Sequence, residues 1–561
     1  MSARTANRRI RLLVALFAVV FGVAVVRVGW LQAVKAQALD RLATSQHRET
    51  VTVPPHRGTI YDRLGVELAI GERAVTVYAN PRQIRDPRFV AEAAGRALGL
   101  DPAKLLPLLA DRTRGFVYVE READPEKAEA LRRRQIVGLG FYPEERRLYP
   151  QRSVAAEVVG YAGIDDRGLA GVELSLDSVL RGERGSKTIV KDPFGRTLDV
   201  IESTPGRDGR NVYLTVDNTI QGQVERVLRR TREAWGARAA SAVVLDPRSG
   251  GILALGVEPG FDANRFPRVK AERQRNVAVT DTYEPGSTFK IVTISAVLES
   301  ELVTPTTRFT LPYSIQIADR VIHDAAERGT QTMTVAQILS QSSNVGVITL
   351  ALELQRTKLS HWIKRFGFGS RTGIDFPGET RGIVLPPDKW SGSTIGNVPI
   401  GQGIAVTPIQ MAAAYGTIAN DGVWLQPHLV DHVEGGPTVR AKQRRVISPT
   451  TARQVRRMLR GVVEEGSGTA AQVPGYRIAG KTGTAAKPDE NGGYSDYRYV
   501  ASFVGFVPAS KPRLVILVTV DEPKGAIWGG TVAAPAFAEI AKFALQYLEV
   551  PPDAPGTLES G

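Results

Sequence analysis

The segment Glu284-Pro285-Gly286-Ser287-Thr288-Phe289-Lys290, running into the apolar stretch Ile291 to Leu298, sets a hydroxyl and an amine at the start of a helix. Pro285 and Gly286 supply the turn, and the apolar stretch supplies a helix with a buried face. A serine in that first turn has the positive end of the helix dipole beside its oxygen, which favours an anionic oxygen there. Lys290, three residues on, falls on the same face. It can act as a base only when partly neutral, and burial near a second cation is the usual cause. By itself the Ser-x-x-Lys spacing is expected about once by chance in a chain of this length, and then describes a capping serine beside a surface lysine. Here it occurs once, at a helix start.

Two further polar clusters follow. Ser342-Ser343-Asn344 lies in the segment Leu339 to Ala351. A second hydroxyl and a carboxamide can relay a proton and hold an amide, and the plainer alternative is a helix cap. Ile478-Ala479-Gly480-Lys481-Thr482-Gly483-Thr484-Ala485 reads as a strand interrupted by glycine, a pattern that often marks the close approach of a ligand or backbone. Lys481 with the hydroxyls of Thr482 and Thr484 suits a carboxylate. The N–H groups of Ser287 and Thr484 can pair as an oxyanion hole. A plain edge strand is the alternative here.

Around these clusters the pattern predicts a strand over Val212 to Val216 and an amphipathic helix over Thr219 to Trp235. A hairpin follows, Ala242 to Leu245 and Ile252 to Leu255, then late strands over Tyr499 to Val507 and Leu514 to Val520 and a closing helix over Pro535 to Tyr547. Strands first and last with helices between them predict an α+β domain, one antiparallel sheet covered by helices. The polar cluster Ser203 to Arg210 marks a boundary ahead of it. Upstream, residues 86 to 135 read as helix-rich, with Pro102, Pro107 and Pro125 placed like helix starts.

Near the N-terminus, Leu12 to Val26 is an unbroken apolar run continued by Val28, Gly29, Trp30 and Leu31, about the length a bilayer core requires. A cleaved secretory peptide or a buried soluble helix is the alternative, against the lack of a clear small-x-small cleavage site and the one-sided arginines. Arg4, Arg8, Arg9 and Arg11 precede it, so the positive-inside rule keeps the short tail in the cytoplasm and sends the rest of the chain outward. Arg27 can snorkel to the level of Trp30 at the outer interface. A helical stretch from Leu31 to Ser45 follows the anchor.

The 561 residues suit several domains, and a hydrophobic content of 43% gives no reason to treat the bulk as disordered. There is no cysteine, which excludes disulfides and thiolate chemistry. Of the six histidines only His428 and His432 have helical metal-pair spacing, and without a third ligand they read as surface residues, so no metal is assigned. The net charge of +14 is spread along the chain rather than gathered into a stripe with aromatics, so no nucleic-acid partner is expected. It suits work beside anionic lipid and acidic wall polymers.

Ser-x-x-Lys, Ser-x-Asn and Lys-Thr-Gly, each present once and in this order, resemble the signature of penicillin-binding proteins and serine β-lactamases. Arg57-Gly58-Thr59-Ile60-Tyr61-Asp62-Arg63, Tyr149-Pro150 with Gly160, and Gly171-Val172-Glu173 resemble the pedestal of the class B penicillin-binding proteins. Arg275-Asn276, Thr280 to Gly286 and Gly401-Gln402-Gly403 with Thr407-Pro408 resemble their transpeptidase domain, and the Gly403 to Thr407 spacing resembles the division-type enzymes. Gln151-Arg152 stands where the family commonly has a glycine, and Gly251 where it has a larger residue, both outside the three motifs.

The resemblance implies a cytoplasmic tail (1–11), a transmembrane signal anchor (12–31), an elongated α+β pedestal similar to the dimerisation domain (32–205), a transpeptidase domain (211–550) and a flexible tail (551–561). It implies a serine-type D-Ala-D-Ala transpeptidase of the bacterial inner membrane that cross-links peptidoglycan stem peptides at the division septum and is blocked by penicillins and other β-lactams. Ser287 would attack the penultimate carbonyl, Lys290 take its proton and Ser342 help protonate the departing D-alanine. Asn344 would orient the peptide, while Lys481, Thr482, Gly483 and Thr484 hold its carboxylate. No cofactor is implied. A membrane glycosyltransferase and other division proteins are the implied partners. An elongation-type transpeptidase, a carboxypeptidase or β-lactamase, and a non-catalytic division scaffold are the alternatives.

Overall fold

The computed structural model describes residues 3–33, 48–191, 197–490 and 492–554, and contacts divide the chain into two units. The first comprises Met1–His56 and Gly182–Gly209. Its helix Ala3–Ala33 contains a segment, Asn7–Gln32, of 26 residues that is long and apolar enough to cross a membrane. Phe17, Phe21 and Val26 stand fully out of any protein core, as a lipid-facing helix requires and a soluble one avoids. The Arg27 guanidinium lies 5.7 Å from the Trp30 ring centroid, so the two share one level. The expected helical continuation to Ser45 falls, past Ala33, outside the described residues. Strands Arg48–Val53, Gly185–Lys191 and Thr197–Thr204 form an antiparallel sheet with Gly185–Lys191 in the centre.

The second unit comprises Arg57–Arg181 and Arg210–Gly561. Its N-terminal portion and its catalytic portion share one sheet. Ile60–Tyr61 pairs with Glu67–Ala79 on one side and, in parallel, with Val212–Leu214 on the other, which in turn pairs with Val430–Val433. Residues 57–181 therefore cluster with the catalytic portion across the boundary read at 203–210. Pro102 and Pro125 open helices Pro102–Ala110 and Pro125–Arg132, capped by Asp101 and Asp124. Pro107, expected as a third start, instead lies inside Pro102–Ala110, where the cap and the buried Leu105 and Leu109 outweigh its missing N–H.

The three pedestal-like segments meet at Glu173, which is fully buried. Arg57 Nε donates to Glu173 Oε2 at 2.7 Å, Arg147 Nε to Oε1 at 2.6 Å, and the Tyr149 hydroxyl lies 3.4 Å from Oε1. Without Glu173 the buried Arg147 would lose its carboxylate and Arg57 would keep only Asp177, at 2.9 Å, and the more distant Asp166, a cost of about 3–5 kcal/mol, so Glu173→Ala is expected to lower the thermal midpoint by several degrees or prevent folding. Scanning calorimetry of the two proteins checks this.

The catalytic portion is built on strands β1 (Ala239–Leu245), β2 (Ile252–Glu258), β3 (Ala479–Pro488), β4 (Tyr494–Val507) and β5 (Leu514–Asp521). They lie in the order β2-β1-β5-β4-β3, all antiparallel, with β3 at one edge. Both faces are covered. Val244, Phe503 and Val518 pack with Val224 of helix Asn218–Ala234 and Phe537 of helix Ala534–Tyr547, while their neighbours Val243, Val504 and Leu517 join Ile294 of helix Lys290–Glu299 and Tyr415 of helix Pro408–Ala419. The alternation of strand side chains feeds these two cores, which is why the strands read as continuous apolar runs. The expected sheet covered by helices is the architecture found. Past the closing helix, Asp553 accepts from the Arg477 N–H at 2.7 Å, and residues 555–561 lie outside the described residues.

Candidate active site

Ser287 sits in the single turn Gly286–Phe289 that leads without a break into helix Lys290–Glu299. The turn is pinned from beneath: Phe289 is fully buried, Thr288 Oγ1 donates to Pro285 O at 2.8 Å, and the Tyr415 hydroxyl donates to Thr288 O at 3.0 Å. Ser287 itself stays partly exposed while its neighbours Gly286, Thr288 and Phe289 are buried.

The third motif lies against this turn. A Cβ on Gly483 of β3 would come within 2.8 Å of Pro285 O and 2.4 Å of Ser502 Oγ, so only glycine lets the strand approach so closely. Gly286, at φ +56°, meets the backbone of Thr484 in the same way. β3 is the edge strand, so its outer side has no sheet partner among the described residues, and the Thr484 backbone lies against the serine turn at Gly286. The Thr484 hydroxyl accepts from the Gly529 N–H at 3.1 Å, and the Thr482 hydroxyl shares a 2.8 Å hydrogen bond with Ser467.

The second motif forms the opposite wall. Helix Val335–Ser340 ends just before Ser342, whose φ of +58° is a left-handed conformation costly for a residue with a Cβ. Ser343 then caps helix Asn344–Leu354, accepting from the Gly346 N–H at 2.9 Å. The cap alternative is thus true of the middle residue, while the flanking Ser342 and Asn344 turn to Lys290. Lys290 Nζ donates to Ser342 O at 2.6 Å, Ser342 Oγ at 3.2 Å and Asn344 Oδ1 at 2.8 Å. Asn344 Nδ2 donates to His323 O at 3.0 Å, which fixes the plane of the amide.

All eight residues expected at the site, Ser287, Lys290, Ser342, Asn344, Lys481, Thr482, Gly483 and Thr484, lie on these three adjoining segments. Both lysines are fully buried. Burial, and next the positive charge of Lys481, drive the Lys290 amine well below its usual range, with Asp324 opposing them. Burial brings Lys481 down to about 7. An amine whose burial weakens its hold on a proton can act as a base, and one that titrates near 7 and gains its proton when an anion arrives holds a carboxylate.

Sequence reasoning missed the residues that hold the second motif. The Asp324 carboxylate, nearly buried, accepts from the N–H groups of Asn344 (2.5 Å) and Val345 (3.0 Å) and from the Ser343 hydroxyl. Arg328 pairs with it at 2.5 Å. His428, expected at the surface with His432, is buried where Gly251 bridges to it, and His432 stacks on Tyr213 at 4.4 Å.

Comparison with known proteins agrees with this arrangement along the length of the chain. Residues 240–542 match the penicillin-binding protein transpeptidase domain, and residues 52–214 match the penicillin-binding protein dimerisation domain. Stage V sporulation protein D of Bacillus subtilis is 35% identical, over 96% of this chain and 86% of its own. Peptidoglycan D,D-transpeptidase FtsI of Escherichia coli is 32% identical, over 94% of this chain and 90% of its own. The crystal structure of penicillin-binding protein 3 of Mycobacterium tuberculosis complexed with aztreonam superposes with a TM-score of 0.71 at 33% identity, covering 91% of this chain and 100% of that one. With the serine turn packed against the Lys-Thr-Gly edge strand and its lysine held by the Ser-x-Asn loop, and with both domains matched in order, the chain belongs to the penicillin-binding protein transpeptidase family.

Proposed function

We propose that the protein is a peptidoglycan D,D-transpeptidase of the division type, working through an acyl-enzyme on Ser287. The observation that carries this reading is the burial of two lysines on either side of the serine turn, one held by the second motif and one on the edge strand. Lys290, whose hold on its proton is weakened by burial and by Lys481, takes the Ser287 proton as the oxygen attacks the penultimate carbonyl of a stem peptide ending in D-Ala-D-Ala. The oxyanion forms between the N–H groups of Ser287 and Thr484, the first at a helix start and the second on an outward-facing strand edge. The proton passes through Ser342, 3.2 Å from Lys290 Nζ, to the departing D-alanine. Asn344 orients the peptide. Lys481, with Thr482 and Thr484 and the side-chain-free Gly483 between them, receives the terminal carboxylate. An amine from a neighbouring stem then takes the acyl group.

On this reading residues 12–31 anchor the chain once in the inner membrane, with residues 1–11 in the cytoplasm, a pedestal over 32–205 and a transpeptidase domain over 211–550 outside. The arginines ahead of the helix support that orientation. Kinship with the division-type relatives supports work at the septum beside a membrane glycosyltransferase and other division proteins.

Incubation with a D-Ala-D-Ala stem peptide and an amine acceptor tests the reaction. Cross-linked product in excess of hydrolysed peptide is expected, together with penicillin labelling that persists for many minutes. Rapid turnover of penicillin with release of hydrolysed product would replace the transferase by a hydrolase.

The second lysine sets the alkaline side. Lys481 loses its proton as pH rises through about 7 in the empty site, so capture of a carboxylate is expected to weaken above that pH. Lys481→Ala should slow second-order acylation by penicillin at pH 7 by about 10²-fold or more and flatten that alkaline fall. Stopped-flow acylation from pH 5 to 9 checks both.

A further inference from the structure

The charges around Lys290 are not those of an isolated amine in an apolar pocket. Lys481 faces it from β3, and Asp324 faces it from the loop after strand Arg320–His323. Helix Val335–Ser340, packed on the helix that Lys290 begins, carries no charged residue. Helices Arg356–Arg365 and Pro449–Glu464 present the buried Ile363 and Leu459 to the shared core, and Glu353 lies at the far end of Asn344–Leu354. Among the described residues Asp324 is thus the anion facing Lys290, and it does so from a built position.

Its carboxylate takes donors from three directions. Oδ1 accepts from the Asn344 and Val345 N–H groups at 2.5 and 3.0 Å, the first turn of the helix that carries the second motif. The Ser343 hydroxyl reaches both oxygens, at 3.1 and 3.0 Å. Arg328 Nε and a terminal nitrogen reach Oδ2 at 2.9 and 2.5 Å. Arg328 is itself fixed by the carbonyls of Leu311, Pro312 and Gly329 at 2.9 to 3.0 Å. A carboxylate so held orders the left-handed Ser342 turn whose carbonyl, with Asn344 Oδ1, cradles the lysine.

We propose that Asp324 is a positioning residue for Lys290: it fixes the Ser342–Asn344 turn that holds the lysine and offsets the positive charge of Lys481 beside it, with Arg328 setting how much of that negative charge the lysine feels. This rests on the reading of Lys290 as the base for Ser287. Burial and Lys481 both strip basicity from Lys290, and a base weakened too far accepts a proton poorly. Asp324 restores part of it.

The test is the pH dependence of acylation by a fluorescent penicillin, measured on the full chain in detergent for wild type, Asp324→Asn and Arg328→Gln. Removing the negative charge lowers the affinity of Lys290 for its proton, so the acid limb in Asp324→Asn is expected to move down by about one pH unit. Asparagine keeps an oxygen acceptor for the helix N–H groups. Arg328→Gln leaves Asp324 less neutralised, so its acid limb moves up. Opposite shifts are a signature that loss of packing does not produce. Acid limbs that stay at the wild-type pH in both variants, with only a slower rate, would overturn the proposal and reduce Asp324 to a helix cap. Should Asp324→Asn fail to fold, the direction of the Arg328→Gln shift decides: upward supports, unmoved or downward refutes. A wild-type profile with no acid limb would overturn the Lys290 base itself, and Asp324 with it.

Discussion

Ser287→Ala is expected to lose covalent labelling by fluorescent penicillin by at least about a thousandfold while folding and melting as wild type does. The side chain is small and partly exposed, and the turn around it is held by Phe289, Thr288 and Tyr415 rather than by the serine hydroxyl. Alanine keeps the backbone N–H proposed for the oxyanion hole and both lysines, so non-covalent capture of the drug should persist. Gel fluorescence after denaturation, set beside a melting curve, separates the two quantities. Labelling that survives denaturation in this variant would place the nucleophile elsewhere.

Lys290→Met carries the second large effect. Methionine fills a similar volume without a polar head group, so the cost of burying the amine disappears while Ser342 O and Asn344 Oδ1 lose a donor. These changes oppose each other, and the folded state is expected to remain within about 1–2 kcal/mol of wild type. Acylation of Ser287 is expected to fall about 10²- to 10⁴-fold, the usual share of a positioned base. Slow labelling should still reach completion, because the serine and its oxyanion donors are intact. An acylation rate equal to wild type would show that some other group removes the serine proton.

The chemistry-bearing residues were legible because each motif couples a residue type to a local spacing. Ser287 and Lys290 share a helix start, and Gly483 marks the strand that must come close. The sheet strands were legible too, as runs of Val, Ile and Phe that both faces bury. Asp324 and Arg328 were not, since they lie in a polar loop with neither period nor spacing and act through Ser343, Asn344 and Val345, which are 19 to 21 residues beyond Asp324. Nor was the left-handed turn at Ser342, which looks like an ordinary cap until Lys290 is seen beneath its carbonyl. Ile60–Tyr61 is too short to announce itself, yet it joins the N-terminal and catalytic portions of the second unit into one sheet. Pro107 obeys a helix-start rule in sequence, but the Asp101 cap had already set the start five residues earlier, at Pro102.

A crystal structure of the benzylpenicillin adduct reads the convergence of the three segments most directly. The ester is expected on Ser287 Oγ, its carbonyl oxygen about 2.7–3.1 Å from the N–H groups of both Ser287 and Thr484, and the drug carboxylate against Lys481, Thr482 and Thr484. An ester on another residue, or a carbonyl oxygen turned away from the β3 edge with the carboxylate in solvent, would contradict it.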